Sequence, residues 1–170
     1  MMMKILTTAG FVALVGVLLV SDTRAAQVVE SKIALVRFNC EMIRLDVRQL
    51  QTSDALTRVG LGRNYEFVLG RLMTNMNSRL AQNQMDAGNL LAITASFREN
   101  LGYFRRNYII YDRLISDLLA IDCTRRPEEF YEKLVAARWM RGEVRFNYTM
   151  LNQIMEEYMA ELTRIEEELW

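Results

Sequence analysis

A regular repeat of apolar positions dominates the C-terminal part of the chain. From Phe130, alternating steps of four and three residues reach apolar or aromatic side chains at every position except Arg141. The positions of this seam are Phe130, Leu134, Ala137, Arg141, Val144, Tyr148, Leu151, Met155, Tyr158, Leu162, Ile165 and Leu169. A sustained heptad pattern predicts a coiled-coil-type helix, here over about residues 127–169, with Pro127 at the favoured first helical position.

The segment before it repeats the same spacing. Its seam consists of Leu90, Thr94, Phe97, Leu101, Phe104, Tyr108, Tyr111, Ile115 and Leu118. Asp86 or Asn89 is a suitable N-cap, so a helix is predicted over about residues 88–121. Because only a short connection separates the two helices, we expect them to pack antiparallel at a shallow crossing angle.

The N-terminal part of the chain, about residues 28–83, has a less regular pattern. A first stripe consists of Val29, Ile33, Val36, Cys40, Ile43, Val47 and Leu50. After the polar run Gln51–Asp54 the phase changes, and a later stripe consists of Tyr65, Leu69, Leu72 and Met76. Two hypotheses account for the change. One long helix carries a stutter that shifts its seam, or the chain turns and a second helix is capped within Thr52–Asp54.

The two cysteines distinguish between these hypotheses. If one long helix turns back near residue 84, Cys123 lies opposite about residue 45, roughly 8 Å along the axis from Cys40. If the chain also reverses near residue 52, the two cysteines are about 30 Å apart, far beyond the ~4.4–6.8 Å Cα separation of a disulfide. Two cysteines in an exported chain predict a Cys40–Cys123 disulfide, which requires the long helix; two unpaired, packed thiols are the alternative.

The start of the chain has the three-part layout of a secretory signal peptide. Lys4 supplies a positive charge, residues 5–20 carry none, and a polar stretch with Thr23 leads to Ala25. We predict cleavage after Ala25, which makes residues 1–25 the signal peptide. If the segment is retained, it is an N-terminal anchor and the part of the chain that contacts the membrane. In both cases the rest of the chain is exported to the periplasm, the cell envelope or the extracellular space.

These patterns together predict an all-α fold in one domain, residues 26–170. The expected architecture is an elongated antiparallel three-helix coiled-coil-like bundle with helices near 28–83, 88–121 and 127–169. A single proline and eight glycines in 170 residues favour long, uninterrupted helices.

Charge and composition exclude several classes of function. The 21 basic and 21 acidic residues balance, so the chain has no basic excess to bind nucleic acid. Histidine is absent, which excludes a histidine general base, a Ser-His-Asp triad and histidine-ligated zinc. Acidic clusters such as Glu166–Glu168 lie mainly off the seam, as expected of a solvated helix face. We therefore predict no catalytic residue, no cofactor and no metal site.

Arg141 is the one charged residue in the C-terminal seam. A charge at a core position requires a partner or an exit to solvent. Reflection across the connection places Arg141 opposite about residue 108. We therefore predict that Arg141 stacks on Tyr108 or Tyr111 or forms an ion pair with Asp112. The cluster is interpreted either as a polar device that sets helix register or as a ligand-binding or interaction site.

Further apolar side chains lie off the two seams: Tyr103, Ile109, Ile110, Trp139, Met140 and Phe146. A second apolar face must be covered by the N-terminal helix, by another copy of the chain or by a partner protein. The leading hypothesis is an exported, non-enzymatic interaction or structural protein of the cell envelope. The alternative is a small ligand-binding or sensor bundle with its site near Arg141, Tyr108 and Tyr111.

Overall fold

The computed structural model describes residues 27–168. The predicted signal peptide, residues 1–25, lies outside the described residues. The predicted all-α class is confirmed: between residues 27 and 168 the regular elements are all helical and no strand occurs.

The helices follow one another with short connections. Residues 27–38 are helical and form α1. The remaining elements are α2 (Cys40–Phe67), a π-helical segment (Val68–Met73), α3 (Thr74–Gln82), α4 (Gly88–Ala120) and α5 (Pro127–Glu167).

The first four elements form a continuous helical segment, residues 27–82, called the N-terminal rod below. At Asn39 the backbone departs from helical geometry (φ −104°, ψ 23°), yet the chain of hydrogen bonds continues, from Asn39 N–H to the Leu35 carbonyl and from Ile43 N–H to the Asn39 carbonyl. The hypothesis of a turn within Thr52–Asp54 is wrong, because α2 runs through that stretch. The buried stripe has already shifted at Tyr65, within α2. The wider turn of the π-helical segment shifts it again by one position, since Met73 and Asn77 are buried where Leu72 and Met76 were expected.

Hydrogen bonds between the segments define their directions. Gln51 bonds to Asp112 and Asn77 bonds to Thr94, so the N-terminal rod and α4 run in opposite directions. Asn107 bonds to Asn147 and Asn89 bonds to Glu161, so α4 and α5 do the same.

Side chains of the α4 seam form the centre of the core. All nine predicted seam residues of α4 are buried. Tyr65 of the rod packs edge-to-face on Phe97 and Phe104, with ring centroids 6.0 Å apart in each pair. In α5 the pattern holds in part, because Asn147 is buried where Tyr148 was expected and Tyr148 is exposed. Burial therefore follows the heptad spacing closely on α4, whereas on α5 Asn147 and Ile154 are buried one position before the expected residues.

The Cys40–Cys123 disulfide joins the rod to the α4–α5 connection. The two Cα atoms are 5.5 Å apart, so the predicted pairing is confirmed at the level of distance. Both residues are buried. Close by, the Arg44 guanidinium donates to the Leu119 carbonyl at 3.3 Å. The bridge and this hydrogen bond hold the rod against the end of α4.

Candidate functional site

Arg141 forms its ion pair with Asp54, a residue that the sequence prediction did not include. Arg141 Nε lies 2.7 Å from Asp54 Oδ2, and Arg141 Nη2 lies 3.0 Å from Oδ1. The Tyr111 hydroxyl donates to the same Oδ2 at 2.6 Å. One carboxylate on the rod thus binds a guanidinium from α5 and a phenol from α4.

The seams of all three segments converge on this Asp54 cluster. Tyr111 occupies a seam position of α4, and Arg141 occupies a seam position of α5. A further step of four from Leu50 along the first stripe of the rod reaches Asp54. The signal was therefore present in the sequence as a second charged seam residue, opposite in sign to Arg141. It was missed because the polar run around Asp54 was interpreted as a change of phase.

The three predicted partners of Arg141 make different contacts in the structure. Tyr111 meets Arg141 through the shared carboxylate. Asp112 does not pair with Arg141; it accepts a hydrogen bond from Gln51 Nε2 at 3.3 Å. The cation over the Tyr108 ring is Arg58, with its Cζ 5.1 Å from the ring centroid. Of the three alternative partners, Arg141 thus meets Tyr111, whereas Asp112 and Tyr108 contact Gln51 and Arg58.

Hydrogen bonds within the Asp54 cluster stabilise the charged form of the carboxylate. Burial by itself raises the pKa of Asp54, but the hydrogen bonds from Arg141 and Tyr111 outweigh it and the pKa lies below the ordinary 3.8. Burial and the bond to Asp54 raise the pKa of Tyr111. Near neutral pH the carboxylate is ionised and the phenol protonated. Such a cluster positions helices and does not exchange protons at that pH.

A cavity of about 350 Å³ lies beside the Asp54 cluster. Its lining combines the aromatic side chains of Phe104, Tyr108 and Tyr148 with the guanidinium groups of Arg58 and Arg145. The predicted residues Arg141, Tyr108 and Tyr111 share this cavity, whereas Asp112 does not line it. The arrangement can bind a small molecule that carries an apolar body and a negative charge.

A second buried polar cluster lies further along the bundle. The Asn77 amide donates to Thr94 Oγ1 at 2.8 Å, and the Tyr158 hydroxyl donates to Asn77 Oδ1 at 2.7 Å. Again the rod, α4 and α5 each contribute one side chain. Because each of these buried groups has a partner, the cluster fixes how the segments align.

The rod also carries apolar side chains on the face opposite its core. From Leu35, steps of three and four reach a second heptad stripe, interrupted by Gln49 and Thr52. We call its apolar members the outer seam: Leu35, Phe38, Met42, Leu45, Leu56 and Val59. They are 49–88 % exposed. The rod already buries one apolar stripe, so an exposed second stripe on its opposite face has the composition of an interface.

The apolar face of α4 and α5 is also exposed. Trp139 is 64 % and Phe146 59 % exposed, and Ile109 and Ile110 remain accessible as well. The expectation that the N-terminal helix covers these residues is wrong. The rod packs along the seams of α4 and α5 and leaves their outer sides free.

Residues 27–168 contain no cluster of three or more Cys, Asp or Glu side chains arranged to hold a metal ion. Over the same residues no helix is both long enough and apolar enough to span a membrane. No family model, no curated protein and no solved structure is significantly similar to this chain.

Proposed function

We propose that the protein is an exported, non-enzymatic component of the cell envelope that acts by helix-to-helix association. Its architecture is an elongated three-helix coiled-coil-like bundle whose N-terminal rod is roughly 80 Å long at ~1.5 Å per residue. The observation that carries the proposal is the outer seam, because it repeats with heptad spacing and its side chains are exposed. A rod with one seam against its own bundle and another facing outward is suited to connecting molecules.

A second copy of the chain is the partner that we propose for the outer seam. Where the seam meets its own copy in register, apolar residues face apolar residues and Gln49 faces Gln49. Each amide is both a donor and an acceptor, so the two glutamines can bond each other at little cost. Polar residues within such a seam, here Gln49 and Thr52, set register and oligomeric state.

The energetics favour covering this surface. Full burial of a Leu, Phe, Met or Val side chain contributes about 1.5–3 kcal/mol. The outer seam has six such residues in each copy, and association costs an estimated 4–15 kcal/mol. The excess of the burial energy over the cost of association is compatible with a stable dimer at micromolar concentration.

Export is supported by two features. The predicted signal peptide precedes the described chain, and Cys40 and Cys123 lie at disulfide distance. Disulfides persist in oxidising compartments such as the periplasm or the extracellular space. The non-enzymatic assignment is supported by the absence of histidine and by the Asp54 cluster, whose ionisable groups bind one another.

Serine substitution of the outer seam tests the proposal. We expect the native protein to sediment as a dimer at about 10 μM and the variant Phe38→Ser/Leu45→Ser/Leu56→Ser to sediment as a monomer, because the substitutions remove apolar area from the interface. The matched control is Ile109→Ser/Trp139→Ser/Phe146→Ser, which removes three other exposed apolar groups, on α4 and α5, and is expected to remain a dimer. A native protein that stays monomeric at about 100 μM contradicts self-association.

A second candidate function is binding of a small molecule beside the Asp54 cluster. The observation that favours it is the cavity of about 350 Å³, where Arg58 and Arg145 have no described carboxylate within ion-pair distance. An aromatic carboxylate is expected to raise the melting temperature of the native protein, since a ligand that binds only the folded state stabilises it. The variant Arg145→Gln should lose the shift, and an equal shift in both proteins would argue against this site.

A further inference from the structure

A groove of about 560 Å³ runs between the π-helical segment, α3 and α5. It lies away from both the Asp54 cluster and the outer seam. Four methionines contribute to its lining: Met73, Met76, Met155 and Met159. Methionine side chains are unbranched, flexible and polarizable, so a surface rich in them adapts to apolar groups of varied shape. The volume falls within the ~300–1,000 Å³ that is typical of ligand sites.

The side chains that form the floor of the groove do not need a hydrogen bond from a ligand. Met73 is almost fully buried, whereas Met159 is 60 % exposed at the rim. The Tyr158 hydroxyl points away from the ligand space, since it donates to Asn77 Oδ1 at 2.7 Å. Besides the arginines, a molecule in the groove therefore meets thioethers, aliphatic side chains, the Tyr158 ring and one amide, that of Asn75.

The charged side chains that line the groove are all positive. Arg71 and Arg79 belong to the lining, and no aspartate or glutamate does. Neither arginine forms an ion pair with a carboxylate of the described chain. Two cations above an apolar floor complement a molecule with a negatively charged head and an apolar tail.

The π-helical segment shapes this site. Its widened turn, Val68–Met73, places Met73 in the floor and Arg71 at the rim of the groove. The Thr74 hydroxyl donates to the Leu69 carbonyl at 2.7 Å and so satisfies a backbone acceptor at the distortion. Single π-helical turns within α-helices occur frequently at functional sites.

We propose that this groove binds a single-chain amphipathic anion of the fatty-acid type. The alkyl chain lies along the methionine floor, and the carboxylate binds Arg71 or Arg79 at the rim. Both halves of the ligand contribute to the affinity: a short anion has no alkyl chain to lie on the floor, and a neutral amphiphile gains nothing from the arginines.

Titration with palmitate tests the proposal, with displacement of a fluorescent polyene fatty acid as the readout. We expect micromolar binding of palmitate by the native protein, and at least about tenfold weaker binding by Arg71→Gln/Arg79→Gln. The matched control is Arg113→Gln, an exposed arginine of α4 outside the groove, which should bind as the native protein does. Circular dichroism verifies that each variant is folded.

Two further probes separate the contributions of head and tail. Acetate, the head without the chain, is expected not to displace the fluorescent ligand, and monopalmitoylglycerol, the chain without the charge, should bind about tenfold more weakly than palmitate. A Met159→Trp variant fills the groove and should also reduce palmitate binding. Absence of palmitate binding by the native protein, displacement by acetate, or equal palmitate binding in the native and double-arginine proteins would overturn the proposal.

Discussion

Replacement of both Cys40 and Cys123 by alanine is expected to lower the free energy of unfolding by about 3–5 kcal/mol. The two residues are 83 positions apart in sequence, so the bridge closes a long loop and removes many conformations from the unfolded chain. Urea denaturation followed by circular dichroism at 222 nm measures the change. Native helical content should be retained, because the seams remain intact.

Reduction provides the control for this prediction. The native protein in a strong thiol reductant should show the same midpoint of denaturation as the double-alanine variant, since both lack the cross-link. The double-alanine variant itself should not respond to the reductant. A loss below about 1 kcal/mol would mean that the rod is held against α4 mainly by packing, contrary to the loop-closure account.

Substitution of Asp54 by alanine is expected to lower the free energy of unfolding by about 2 kcal/mol. The change removes the acceptor of both Arg141 and Tyr111. Loss of one partner of a buried ion pair costs about 3–5 kcal/mol, and the effect is reduced here because the Arg141 side chain is 43 % exposed. Chemical denaturation measures the difference between variant and native protein.

Two controls identify the mechanism. Asp112→Ala removes a carboxylate one position beyond Tyr111 that makes a single 3.3 Å hydrogen bond with Gln51, and it should cost less than about 0.5 kcal/mol. The double variant Asp54→Leu/Arg141→Leu should recover most of the stability, because removal of both charges leaves none unpaired. If Asp54→Ala and Asp112→Ala cost the same, the Asp54 cluster does not stabilise the bundle.

The stabilisation by Asp54 should depend on pH. The pKa of Asp54 is lowered in the folded state from the ordinary 3.8, so its contribution is fully present above about pH 5. The contribution decreases as the pH falls below 3.8, where the carboxylate of the unfolded chain becomes protonated. It is lost below the folded-state pKa, where the carboxylate is protonated in both states. The stability difference between native protein and Asp54→Ala should therefore shrink below about pH 4.

Much of the core could be predicted from the spacing of apolar residues. All nine seam residues predicted for α4 are buried, because a helix in the middle of a bundle has its seam covered along its whole length. The α5 seam was less accurate: Asn147 is buried and Tyr148 exposed. The seam is otherwise kept, because Leu151, Tyr158 and Ile165 remain buried, so the contacts of α5 with the other segments decide which of two neighbouring residues is covered.

The candidate sites were harder to predict. Arg141 was recognised as an unusual seam residue, but its partner Asp54 lies 87 positions earlier in the chain. The π-helical segment gives no sequence signal comparable to a cap or a proline, and the arginine-rimmed groove beside it joins residues from distant parts of the chain. The outer seam was present in the sequence as a second heptad stripe, yet only its exposure distinguishes it from a core stripe.

The sequence by itself determined the helical class, the seam of α4 and the disulfide, because each depends on local periodicity or on which chain segments can reach one another. Only the tertiary structure decided which acid meets Arg141, which apolar stripes stay exposed and where the methionine groove opens. Those outcomes depend on how the rod aligns along α4 and α5. A shift of one helical turn, ~5.4 Å, would exchange every partner without changing the pattern of any single helix.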